Sequence, residues 1–389
     1  MMTHPEINLI DDELYEIQGP PYEQFRWLRE NAPVYRHGDP RSGYPDFWAL
    51  TRFEDVTHVS RRSDLFSSSR RLAMYQEFPP SSFTLERRKL LYMDPPEHTR
   101  QRAHVNRGFT PRAVDKLRPK VQEICYELTQ RAVARGTGDF VRDIALPLPL
   151  HLICEILGVP ASARNQLIKG EGGFIPARMY EYAAELAARG RDQSAGDPAS
   201  QILRPDENGE MLSDEEFKLF AFQLTVAGNE STRNAASGGL RAFLDHPDQW
   251  KRLREDRSLL ATAPDEMIRW STPINLFRRT ATATMELRGQ VIGENDKVVI
   301  FYASANRDGD VFEEPDVFDI ARSPNPHAGF GGGGAHYCPG TSLARLQLTV
   351  LLESLLDCAP AIEAAGPIKR LPSSFINGVL ELPVRYGRG

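Results

Sequence analysis

Four cysteines in 389 residues, at 125, 154, 338 and 358, with no C-x-x-C spacing, leave no material for a disulfide framework. No run of 18 apolar residues occurs, so a membrane-spanning helix is not expected. The opening stretch to Glu16 is acidic and lacks the apolar core of a signal peptide. A cytoplasmic chain with no membrane partner is the expectation. Basic charge does not dominate either, with 47 Lys and Arg against 53 Asp and Glu, a net charge of −6. Nucleic acid is therefore not an expected partner. There is no internal repeat, low-complexity linker or shift in composition, so residues 1–389 should form a single domain, a monomer in solution.

What is present is mostly helical patterning with a little sheet. Pro33–Arg36 and Phe47–Leu50 flank a Gly/Pro/Asp-rich turn, as a hairpin would. Thr110-Pro111 reads as a cap and first helical position, opening a helix towards Gly136. Ser213-Asp214-Glu215-Glu216 is a capping box, and the helical pattern behind it reaches about His246 without a proline. That segment is apolar on several faces at Phe217, Leu219, Phe220, Phe222, Leu224 and Val226, as in a buried helix. Its middle, Ala227-Gly228-Asn229-Glu230-Ser231-Thr232, turns abruptly small and polar. Buried polar groups need partners, so this break is a first sign of a site. A helix at Pro264–Trp270, an extended Lys297–Tyr302 and an irregular, Pro/Asp-rich Asn306–Pro326 follow.

The segment Phe330-Gly331-Gly332-Gly333-Gly334-Ala335-His336-Tyr337-Cys338-Pro339-Gly340 carries the most information. Glycines allow sharp turns and close approach to a flat ligand. Cys338 stands at the mouth of a helix expected to begin at Pro339, where the helix dipole favours thiolate. A phosphate loop is excluded because no Gly-Lys-Ser/Thr follows the glycines. A lone buried cysteine behind such a loop is the plainer alternative.

The whole segment resembles the haem-binding signature of the cytochrome P-450 family, F-G-x-G-x-H-x-C-x-G, with Phe330 one residue further from the cysteine than usual. The extra glycine resembles a subgroup of actinobacterial members that oxidise sterol side chains and methyl-branched lipids. Three further segments resemble family motifs in the expected order. Glu266-Met267-Ile268-Arg269 matches E-x-x-R, with Arg322 completing an ion-pair network. His98 and Arg102 match H-x-x-x-R. The polar break matches A-G-x-[D/E]-T-T, with Ser231 where threonine is usual. The resemblance implies the mainly α fold with small β-sheets of that family (α+β), a single triangular domain with a long central helix. It also implies haem b with Cys338 as axial thiolate, and mono-oxygenase chemistry. His98, Arg102, Arg279, His336, Phe330 and Gly340 would hold the cofactor. Gly228 would leave a groove for dioxygen, and Glu230 with Ser231 and Thr232 would deliver protons.

The resemblance further implies a separate ferredoxin or flavodoxin with its reductase. Arg100, Arg107, Arg112 and Lys116 are the expected docking cations. A small, largely apolar substrate is expected against Phe78, Phe83, Leu224, Leu276 and Phe375. The basic residues Arg70, Arg71, Arg87, Arg88 and Lys89 suggest an acidic group or an acyl carrier protein bearing the substrate. That favours tailoring of a polyketide or aromatic intermediate in secondary metabolism. Hydroxylation of a free sterol or branched lipid is the alternative, and a haem-thiolate sensor without turnover is the alternative from another class. The stretch between Pro160 and Ser213 is shorter than the resemblance would lead one to expect.

Overall fold

Ser213 opens the longest element. Its hydroxyl accepts from Glu216 N–H, and the Glu216 carboxylate accepts from Ser213 N–H at 2.7 Å. The central helix then runs Asp214–Asp245, 32 residues, about 48 Å at 1.5 Å per residue. The computed structural model describes residues 7–38, 46–159, 168–169, 173–174, 176–190 and 198–387. Within them, the helices Pro147–Ile156, Pro176–Gly190 and Ala263–Ser271 pack on the central helix. Phe217, Phe220, Ala221, Leu240 and Phe243 thereby join the main apolar core. The approach is close: a Cβ on Gly239 would lie 2.3 Å from the Met267 side chain.

Five strands form the principal sheet: β1 Val34–His37, β2 Phe47–Leu50, β3 Phe66–Ser67, β4 Leu276–Ala281 and β5 Lys297–Phe301. Their order is β1-β2-β5-β4-β3. The expected hairpin forms, with Val34 opposite Leu50, although its turn lies outside the described residues. Both faces are covered, which fits the apolar β5. Trp48, Leu50, Val298, Ile300 and Ala281 pack on one side; Phe47, Ala49, Val299, Phe301 and Leu276 pack on the other. Alternation along β4 therefore puts Phe277 and Arg279 on the first face, and Leu276, Arg278 and Thr280 on the second.

Two helical expectations are corrected. The segment from Thr110 to Gly136 is two helices, Pro111–Asp115 and Arg118–Arg135. Pro119 is the reason: it lacks an N–H and suits only a helix's first turn, so the helix restarts there. Gly136 ends the second at φ 76°. The last long helix is Thr341–Cys358, with Gly340 as its cap, so Pro339 lies in the turn before it. Among the described residues no helix is long and apolar enough to cross a membrane. The short 160–213 stretch falls partly outside the described residues.

Candidate active site

The cysteine loop is closed at its base, where Cys338 N–H donates to Phe330 O at 3.0 Å. Between these ends the chain lies against the carboxyl end of the Phe53–Arg61 helix. A Cβ on Gly332 would sit 2.5 Å from Ser60 Oγ, and one on Gly334 would sit 2.3 Å from Ser60 O. Gly331, Gly333 and Gly334 also have φ of 97°, 92° and 74°. Close packing and left-handed backbone together account for the glycine run, including the residue that lengthens the loop. Phe330 is buried, with its ring 5.4 Å from His327 and under the Arg345 guanidinium.

Burial pushes the Cys338 thiol up, while the Gly340 N–H, the Arg102 charge and the Thr341 hydroxyl pull it down. Those groups would favour a sulfur bound to a metal as thiolate. Thr341 also donates to Cys338 O at 2.8 Å, tying the ligand turn to the helix it precedes.

Around the loop the structure gathers cations that form no ion pair among the described residues. Arg279 is 4% exposed and, among the described residues, donates only to the neighbouring Arg278 carbonyl, at 2.8 Å. Arg102 reaches the carbonyls of Ala335 and Tyr337. Neither forms an ion pair among the described residues. His98 is 1% exposed, and both of its ring nitrogens lack a partner. His336 Nε2 is likewise orphaned, and the two imidazoles stand 4.3 Å apart. Burial, with the Arg102 and Arg279 charges outweighing Asp94, holds His98 down at about 4. Burial, Arg279, His98 and Arg102 hold His336 well below the usual imidazole range. Four basic groups short of negative charge fit the two propionates of a haem, and a cysteine sulfur beside them fits its iron.

On the central helix, Ala227, Glu230 and Ser231 share one face, being three and four residues apart. That face is open: Val226 is 42% exposed in mid-helix and Ala227 is exposed beside it. Ser231 Oγ donates back to Ala227 O at 2.7 Å. Glu230 pairs with Arg233 at 3.4 Å. Thr232 is only 5% exposed and lies off the open face. A Cβ on Gly228 would meet Leu224 and Ile153 at ordinary distances of 3.5 and 3.6 Å. Asn229 is buried with its Oδ1 unpartnered.

Beneath this, Glu266 and Arg269 have no exposed side-chain surface and form a two-bonded pair at 2.7 and 2.8 Å. Arg322 approaches Glu266 at 3.3 Å, and the Asp319 N–H and Asn325 amide complete its shell. Arg269 also donates to the carbonyls of Asn306, Pro315 and Val317, which orders the irregular stretch leading to the cysteine loop.

The apolar side residues separate. Phe78 and Phe83 cluster with Leu72, Ala73, Tyr92 and Phe277. Phe375 packs edge-on to Phe277 at 5.5 Å, and Leu224 is partly buried on the central helix. Leu276 is fully buried and packs with Leu9, Phe25 and Phe301 in the second-face cluster, which Phe375 also borders. Phe277, which shares a face with Arg279, packs with the Phe78 cluster and against Phe375. Sequence reasoning missed Asp94, whose carboxylate accepts from Ser67, Ser68 and Ser69 and folds that loop.

The basic cluster is largely consumed within the chain. Arg70 pairs with Glu294, Arg88 with Glu215 and Lys89 with Glu86, while Arg87 donates to the carbonyls of Ser69 and Arg70. Of the docking cations, Arg100 pairs with Glu97 and Glu216, and Arg107 binds the carbonyls of Arg204 and Pro205. Arg112 and Lys116 have no ion pair among the described residues.

The sequence model described as Cytochrome P450 matches residues 184–358. A steroid C26-monooxygenase of Rhodococcus jostii (strain RHA1) is 40% identical, over 94% of this chain and 82% of its own. A methyl-branched lipid omega-hydroxylase of Mycobacterium bovis is 35% identical, over 98% of this chain and 96% of its own. Among solved structures, Mycobacterium marinum cytochrome P450 CYP268A2 in complex with pseudoionone superposes with a TM-score of 0.85 at 34% identity. It covers 99% of this chain and 100% of that one.

Proposed function

The chain belongs to the cytochrome P450 family and is a haem-thiolate mono-oxygenase, and from that premise we propose that it hydroxylates the end of an aliphatic chain on a steroid or a methyl-branched lipid. The observation that carries this reading is likeness, along nearly the whole chain, to enzymes named for those two reactions. Two features of the molecule support it. The candidate pocket wall, Phe78, Phe83, Phe277 and Phe375, is apolar and aromatic, as a lipid or sterol requires. The basic cluster that suggested an acyl carrier protein spends most of its charge on internal partners. Carrier-bound polyketide or aromatic tailoring is therefore set aside in favour of the free lipid.

Bound haem supplies the iron at which dioxygen is reduced and one oxygen atom is delivered to a C–H bond. Cys338 would hold the iron as thiolate. Arg279 and Arg102, with the unpartnered nitrogens of His98 and His336, would hold the propionates. On the central helix, Glu230 would take protons from water and pass them to Ser231 Oγ, which would have to leave the Ala227 carbonyl to donate. Phe277 and Phe375 would exclude bulk water and pack against the substrate's apolar end. Electrons come from a separate protein carrier.

Titrating the ferric holoenzyme with three ligands tests the substrate class. These are a cholestane-type ketosteroid, a methyl-branched fatty alcohol, and an aromatic acid loaded on an acyl carrier protein. The expected result is loss of iron-bound water, read from haem absorbance, with the first or second, and a terminally hydroxylated product on turnover. A spectral change with the loaded carrier alone would overturn the reading.

A further inference from the structure

Arg278 lies on the face of β4 turned away from Arg279 and has no exposed surface. Its Nη1 donates to Glu77 Oε1 at 3.0 Å, but Nε and Nη2 are buried and meet no acceptor. Lys297, opposite Thr280 across the strand pair, puts Nζ 3.0 Å from the same Glu77 oxygen. Thr280 Oγ1, on the same face, is buried and unpartnered too. Arg71 adds a third positive charge that both buried cations feel. It has no ion pair among the described residues. Two buried cations thus share one carboxylate beside a third positive charge, and buried cations are costly unless countered.

Glu77 is the loosest member, with 34% side-chain exposure against none for Arg278 and 4% for Lys297. Burial alone would raise its carboxyl, but Lys297 and Arg278 outweigh burial and keep it ionised. It engages only Nη1 of the guanidinium, so the Nε–Nη2 edge, which matches a carboxylate in two-bonded fashion, stays unused. The loop that carries Glu77 crosses this edge of the sheet: Ala73 O accepts from Arg278 N–H at 2.8 Å, and Tyr75 O accepts from Lys297 at 3.0 Å. Leu72, Ala73, Met74 and Phe78 of the same loop pack with Phe83 and Phe277, on the candidate pocket side.

We propose that Arg278 and Lys297 form a carboxylate-binding site whose built-in occupant is Glu77, that an external carboxylate can take Glu77's place, and that a filled site holds loop 72–78 over the pocket. The part concerning the loop rests on the pocket wall proposed above and not on which lipid fills it.

The test uses the ferric holoenzyme and stopped-flow binding of imidazole to the haem, which reads access without any substrate. Glu77→Ala should speed imidazole entry several-fold. Sodium acetate should return the rate to that of the parent enzyme, and sodium chloride at equal ionic strength should not. Restoration should be lost in the Glu77→Ala/Arg278→Gln double variant, or in Glu77→Ala/Lys297→Met should the first fail to fold. An unchanged rate in Glu77→Ala, restoration by chloride, or acetate rescue that persists in the double variant would each overturn the proposal. Because imidazole is not a lipid, a failed substrate assignment and a failed carboxylate site give different results.

Discussion

Among single residues, Ser231 is where this chain departs most from the motif it resembles. Serine keeps the hydroxyl but lacks the methyl that restrains χ1, and here the hydroxyl turns back to the Ala227 carbonyl. A proton donor that spends time on the helix backbone delivers less often to bound oxygen. Ser231→Thr should therefore raise the product formed per electron pair consumed, by roughly twofold to tenfold, well inside the range of proton-transfer effects. The check is product against hydrogen peroxide under steady turnover. An unchanged ratio would show that Ser231 is not the delivering group. Glu230 faces the same way and is paired with Arg233, so its carboxylate begins each cycle held at one end.

Between residues and the whole lies the Ala263–Ser271 helix with the irregular chain it orders. Glu266 and Arg269 are one turn apart, and alone such a pair on a helix surface is worth little. Here both are fully buried, and Arg269 makes three further bonds to backbone carbonyls of residues 306–317. Removing one partner strands a buried charge, which costs about 3–5 kcal/mol. Glu266→Ala should lose about that much stability in denaturant unfolding of the holoenzyme, and haem should be released earlier in the transition. A loss below about 1 kcal/mol would place the pair with ordinary surface bridges.

For the whole molecule, net charge and local charge point in different directions. The chain is acidic overall, at −6, yet Arg112 and Lys116 stand free of ion pairs among the described residues. An acidic electron carrier would be steered by such a patch, and steering weakens with salt. Arg112→Glu with Lys116→Glu should slow reduction of the iron by an acidic ferredoxin, roughly tenfold at low ionic strength. The difference should fade as salt is added. Equal rates at low salt would move the docking site elsewhere.

Much of the site was legible in the sequence because its parts are local. The cysteine loop, the E-x-x-R turn, His98 with Arg102, and the capping box before the central helix are each set by spacing within a few residues. The hairpin and the capped central helix were legible for the same reason. What local pattern could not settle was which side chains meet. Whether Leu276 or Phe277 faces the candidate pocket depends on which face of β4 the neighbouring strands and helices cover. Whether Arg70, Arg87, Arg88 and Lys89 are free to bind a partner depends on acids and carbonyls, some of them more than a hundred residues away. The glycine run was visible as a run, but its cause is the end of the Phe53–Arg61 helix pressed against it. The sequence by itself determined the family and the class of chemistry, and singled out Cys338 as the expected ligand, since these follow from residue type and short spacing. The tertiary structure alone decided burial and charge pairing, because both are sums over neighbours that only the folded chain brings within a few ångströms.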